Sequence, residues 1–111
     1  MLDFLTDDEQ KAVATFKRSV RTLVSERLKG FYLFGSKARG DYEPDSDIDI
    51  AIVVDRLSTV EKRDIMDLAA QIDLEYLVVL SPLIFSMDVF QGIRERERRI
   101  AMDIEREGIP V

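Results

Sequence analysis

The chain has no cysteine and no histidine among its 111 residues. Without cysteine there is no disulfide and no thiolate metal site. Without histidine there are no imidazole ligands, no imidazole base and no Ser-His or Cys-His dyad. Any catalysis must use carboxylates, hydroxyls, Lys, Arg and a hard, oxygen-seeking metal. No apolar run is long enough to span a bilayer. The start, Met1 to Asp8, is acidic and lacks the basic and apolar segments of a signal peptide. These absences lead to the expectation of a soluble, cytoplasmic protein with no membrane association. The excess of acidic residues, net charge −6, disfavours stable binding to nucleic acid, which depends on neutralising phosphates. A small phosphate ligand held locally remains compatible with it.

The residues present are sufficient for one compact domain, read here as 1–111. Apolar residues make up 46% of the chain, enough for a core and too many for disorder. A domain of this size has little surplus stability, so a partner or a homodimeric second copy is a natural source of more.

Thr6-Asp7-Asp8-Glu9 has the form of a capping box. Val13, Phe16, Val20, Leu23, Val24 and Leu28 follow at helical spacing, which predicts a helix from Asp7 to Leu28 ending near Gly30. Its cations, Lys11, Lys17, Arg18, Arg21 and Arg27, read as a solvated face. Phe31–Phe34 reads as a short buried strand, Ser36–Gly40 as a helical turn, and Tyr42–Ser46 as a turn broken by Pro44. Ile48–Val54, β-branched and nearly all apolar, predicts a strand buried on both faces.

Ser58-Thr59-Val60-Glu61 is a second capping box. Val60, Ile65, Leu68, Ala69 and Ile72 extend a helical stripe to Asp73. Glu75–Leu80 reads as a third strand interrupted by Ser81-Pro82, with Leu83–Phe85 as its continuation. A final helix from Ser86 places Val89, Ile93, Glu97, Ile100 and Ile104 on one face. The expected fold is α/β (α+β): a small mixed sheet of about three strands with helices, in the order α-β-α(short)-β-α-β-α. The short connection makes the first two strands antiparallel. The helical connection makes the second and third parallel. The end of strand one then lies beside the start of strand two.

That convergence brings together the most informative residues. Gly35 and Ser36 follow the first strand, and ten residues later Asp47-Ile48-Asp49 opens the second. Strand residues two apart share a face, so the two carboxylates project together from backbones roughly 7 Å apart. Such a pair can hold Mg²⁺, with each metal–oxygen distance about 2 Å. Gly35 allows close approach of a phosphate, Ser36 offers a hydroxyl and an amide at the start of a turn, and Lys37 and Arg39 add positive charge. Taken singly, Asp45, Ser46 and Asp47 also suit a turn or a cap, and Arg39 suits a surface. Asp49 is harder to explain as structural, because a carboxylate within an apolar strand is costly.

Gly-Ser-x10-Asp-x-Asp resembles the signature of the DNA polymerase beta-like nucleotidyltransferase superfamily. The fuller string, Phe34-Gly-Ser-Lys-Ala-Arg-Gly-Asp followed by Asp45-Ser-Asp-Ile-Asp, is similar to the minimal nucleotidyltransferases, or MNT group. The length, helix order and Glu107-Gly108-Ile109 are similar as well. The resemblance implies transfer of a nucleoside monophosphate, AMP from ATP, to an acceptor hydroxyl with Mg²⁺. Gly35, Ser36, Lys37 and Arg39 would bind nucleotide, and Asp47 and Asp49 would bind metal and catalyse. It also implies, as partner, a HEPN-domain ribonuclease toxin with a tyrosine acceptor.

The sequence departs from the pattern at one position. A third carboxylate is expected on the strand beside Asp-x-Asp, near Val79, but Tyr76–Ser81 contains none. Glu75 would sit about 13 Å back along a strand, and Asp73 falls near a helix end. The intact motif favours an enzyme, whereas the departure favours an antitoxin acting by contact or a nucleotide-binding module.

Overall fold

The computed structural model describes residues 5–34, 47–95 and 109–110. Helix α1 spans Asp7–Val24 and passes through a 3-10 turn, Ser25–Arg27, into strand β1, Leu28–Phe34. Strand β2 is Ile48–Val54, helix α2 Thr59–Tyr76, strand β3 Leu80–Ser86, helix α3 Met87–Glu95 and strand β4 Ile109–Pro110. The sheet order is β3-β2-β1-β4, with β2 antiparallel to β1 and parallel to β3. The expected mixed α/β architecture is present, with the short β4 added at the edge. The expected turn at Ser36–Gly40 and the last helix beyond Glu95 lie outside the described residues.

Both capping boxes form. The Thr6 amide donates to Glu9 Oε1 at 2.9 Å, and the Glu9 amide donates to Thr6 Oγ1 at 3.1 Å. Ser58 and Glu61 repeat the pattern at 3.1 Å in both directions. In each case two otherwise orphaned amides of a helix start are satisfied locally.

Alternation along β2 divides the core. Ile48, Ile50, Ile52 and Val54 face α1 and α2 and join Val13, Phe16, Val20, Ile65, Ala69 and Ile72 in the main cluster. Phe16 meets Phe31 edge to face, with ring centres 5.8 Å apart. Ala51 and Val53 face the opposite side, where Phe90 of α3 covers them beside Tyr32, Phe34 and Phe85.

Several boundaries differ from expectation. The first helix stops at Val24 and β1 begins at Leu28, so Gly30 lies inside a strand. There the Tyr32 ring occupies the place a side chain would take, 2.6 Å from an added Cβ. Residues 75–79 do not form a strand. Glu75 and Tyr76 finish α2, the Tyr76 hydroxyl sits 3.1 Å from Thr15 Oγ1 of α1, and β3 starts only at Leu80. Ser81-Pro82 therefore lies within β3. The Ile48 amide donates to the Val79 carbonyl at 2.8 Å. Main-chain groups alternate in direction along a strand, so Pro82 turns its nitrogen to the outer edge, where no ladder donor is needed. Val60 and Val89, expected in apolar stripes, are 56% and 51% exposed, whereas Phe90 of α3 is buried.

Arg27 is not a solvated helix cation. Its guanidinium pairs with Glu61 and donates to the carbonyls of Asp55 and Arg56 at 3.4 and 3.3 Å, tying the start of β1 to the start of α2. The Arg27 hydrogen bond, followed by that of the Ser58 amide, lowers the Glu61 carboxyl from 4.5 to about 2. A depressed carboxyl stabilises the fold fully above its ordinary value, and that contribution is lost as pH falls through 4.5 towards 2. Denaturant titrations across this window should therefore show a steeper loss of stability in the wild type than in Glu61→Gln. Equal slopes would mean that the ion pair does not form in solution.

Candidate functional site

The paired strands place the two aspartates at one end of the sheet. Asp47 immediately precedes β2 and is exposed, while Asp49 lies within β2 and is half-buried. Asp49 shares its face with Ala51 and Val53, the side covered by α3, because it has the same strand parity. In the antiparallel register Phe34, the last residue of β1, stands opposite Asp49. Strand β1 therefore ends beside the start of β2, the convergence of strand ends that the sequence predicts. Gly35, Ser36, Lys37 and Arg39 themselves lie outside the described residues.

On the other flank Ser81 stands opposite Asp49, and the Val79 carbonyl receives the Ile48 amide next to Asp47. β3 carries no carboxylate. Glu75 is exposed in the last turn of α2 rather than on a strand, which removes it from the place considered for the third carboxylate.

A different acidic residue anchors the start of β3. Asp73, half-buried near the end of α2, accepts the Leu80 amide on Oδ1 at 2.8 Å. Burial raises its carboxyl above the ordinary value, the Asp47 charge adds to the rise, and the Leu80 hydrogen bond opposes it. The sequence marked Asp73 only as a helix-end residue, because its relation to Asp47 depends on where β3 begins.

The chemistry of the donors fits Mg²⁺. This ion keeps several waters and takes one or two carboxylates together with phosphate oxygens, rather than a full protein cage. Asp49 within β2 and Asp47 immediately before it are carboxylates of this kind. Among the described residues no group of three His, Cys, Asp or Glu forms a metal-holding set. Cavities occur elsewhere among the described residues. One of 570 Å³ lies between the start of α2 and β3, lined by Met66, Pro82, Leu83 and Val89. Another of 200 Å³ carries Lys17, Arg21 and Lys29 beside Tyr32. Neither includes Asp47 or Asp49.

A family model described as a nucleotidyltransferase domain matches residues 13–109. The chain belongs to this nucleotidyltransferase family. The match spans α1 through β4 and includes the whole Gly-Ser-x10-Asp-x-Asp string. A protein of Methanocaldococcus jannaschii, provisionally named a protein adenylyltransferase, is 36% identical over 78 residues, covering 69% of this chain and 79% of the relative.

Solved structures show the same fold. A chain described as a provisional minimal nucleotidyltransferase superposes with a TM-score of 0.58 at 22% identity, over 91% of this chain and 94% of that one. A toxin–antitoxin crystal structure with AMP-PNP contains a chain that superposes with a TM-score of 0.57 at 20% identity, over 86% of this chain and 69% of that one. The nucleotidyltransferase domain thus has the minimal nucleotidyltransferase fold, with Asp-x-Asp at the start of β2.

Proposed function

We propose that this nucleotidyltransferase transfers AMP from ATP to a hydroxyl on a partner protein, with Asp47 and Asp49 holding Mg²⁺. The observation that carries the proposal is Asp49 half-buried within β2, Asp47 immediately before that strand, and the end of β1 in register beside Asp49. The bound metal would polarise phosphate oxygens and stabilise the leaving pyrophosphate. Asp47 and Asp49 provide its negative oxygen ligands. Gly35 and Ser36 act in turn on the triphosphate through backbone approach and hydrogen-bond donation, with Lys37 and Arg39 adding positive charge. The fixed arrangement of strand ends reduces the entropy cost of bringing nucleotide and acceptor together.

The protein acceptor is supported by the relative named as a protein adenylyltransferase and by the structural neighbour in a toxin–antitoxin assembly. A HEPN-type toxin with an acceptor tyrosine is the specific partner proposed. A second reading, an antitoxin that neutralises its partner by contact alone, is favoured by the absence of a carboxylate on β3.

The two are separated by incubating the chain with Mg²⁺, ATP labelled on its α-phosphate and the HEPN protein. Transfer predicts label on that protein's tyrosine and none when Asp47 is changed to Asn. Neutralisation of the toxin without label, persisting in Asp47→Asn, would leave contact as the mechanism.

A further inference from the structure

In the connection from α2 to β3, Val78 packs against the main core while the residues on either side of it are open to solvent. Leu77 and Val79 are 89% and 50% exposed. Leu77 also has a left-handed backbone, φ 56° and ψ 46°, which disfavours a residue with a Cβ. One residue receives hydrogen bonds from both sides of this turn. The Asp73 carbonyl accepts the Leu77 amide and, at 3.3 Å, the Val78 amide. The Asp73 side chain accepts the Leu80 amide at 2.8 Å.

Between these anchors lies Val79. Its carbonyl takes the Ile48 amide at 2.8 Å, and Ile48 separates Asp47 from Asp49. A continuous path of hydrogen bonds and peptide links therefore runs from the Asp73 carboxylate through the turn to the backbone that presents both aspartates.

We propose that Asp73 is a positioning residue of the candidate site: by gripping the Leu80 amide it holds the Val79 carbonyl against Ile48 and thereby sets the placement of Asp47. The inference rests on the proposed function for its consequence, and on the hydrogen bonds alone for its mechanism. The relevant property of Asp73 is an oxygen acceptor of the correct length rather than a charge delivered to the metal. The Leu80 amide points to the outer edge of β3, where no neighbouring strand among the described residues accepts it. Without the side-chain acceptor the amide would turn to water and the Val79 carbonyl would be free to swing.

The test compares Asp73→Asn, which keeps an oxygen acceptor, with Asp73→Ala, which keeps none. Amide exchange at Leu80 and the Mg²⁺ dependence of ATP binding are read in the full chain. The expected result for Asp73→Ala is exchange at Leu80 faster by about tenfold or more and a half-saturating Mg²⁺ concentration raised by about tenfold. Asp73→Asn should stay within about threefold of wild type in both.

Equal impairment of the two variants in Mg²⁺ dependence, with Leu80 still protected in Asp73→Asn, would overturn the proposal and assign Asp73 a role through its charge. Unchanged exchange in Asp73→Ala would overturn it whether or not ATP binds. If Asp73→Ala does not fold, Asp73→Asn decides: wild-type Mg²⁺ dependence with a protected Leu80 amide supports positioning, and a tenfold loss contradicts it. A wild type that shows no Mg²⁺-dependent ATP binding but a protected Leu80 amide would instead overturn the proposed function, and with it the consequence assigned to Asp73.

Discussion

Asp49→Asn should abolish Mg²⁺-dependent nucleotidyl transfer, with a loss on the order of 10³-fold or more, while leaving the fold intact. Asn is nearly isosteric with Asp and keeps one oxygen, so packing beside Ala51 and Phe34 changes little. It loses the negative charge that a hard divalent cation requires. Metal stabilisation of transition-state charge amounts to several kcal/mol, and each 1.36 kcal/mol is a factor of ten in rate. Transfer is followed by the release of labelled product and stability by denaturant unfolding. Unfolding should move by less than about 1 kcal/mol, as for substitutions outside the core. A variant that retained transfer would remove Asp49 from the chemistry. One that lost transfer only through unfolding would make it a structural residue.

Ile50→Ala should have the opposite outcome, with a large loss of stability. Ile50 is the next residue of β2, fully buried on the face towards α1 and α2. Removing most of its side chain forfeits transfer free energy and leaves a cavity, typically about 2–5 kcal/mol in total. Small domains have about 5–15 kcal/mol of stability to begin with. A shift of this size should be plain in a urea titration, and a large part of the chain would be unfolded at the lower end of the range. Adjacent residues on opposite faces of one strand would thus separate chemistry from folding. A loss below about 1 kcal/mol would mean that the cluster around Ile50 is not packed as described.

The parts of the fold legible in the sequence were those whose signals are local. Thr6/Glu9 and Ser58/Glu61 satisfy helix amides within three residues, so spacing alone located both helix starts. The continuous β-branched run of β2 declared a strand covered on both faces, and the connection lengths gave the strand directions. The boundaries that moved depend on distant partners. Tyr76 stays helical while pairing with Thr15, which lies far away in the chain. Leu77 takes a left-handed conformation that suggests glycine, and no glycine marked the end of α2. Pro82 reads locally as a strand breaker, because the sequence does not reveal that β3 is the outermost of the described strands.

The same division applies to the site. Asp47 and Asp49 were conspicuous because a carboxylate in an apolar strand needs a reason, and the spacing to Gly35-Ser36 gave one. The missing carboxylate of β3 was also legible, since Leu80–Ser86 contains none. Asp73 was not, because a helix-end aspartate is common and its value lies in the Leu80 amide and the neighbouring Asp47. Arg27 was likewise read by its own segment as a surface cation, although three carbonyl or carboxylate partners lie across the chain.

In the proposed function Asp47 and Asp49 together hold the metal through which ATP is bound. Isothermal calorimetry of ATP binding, with and without Mg²⁺, tests it directly on the wild type and on Asp47→Asn combined with Asp49→Asn. Binding should be Mg²⁺-dependent in the wild type and at least about tenfold weaker in the double variant, with the Mg²⁺ dependence gone. Binding that is equally tight and equally Mg²⁺-dependent without the two carboxylates would contradict it.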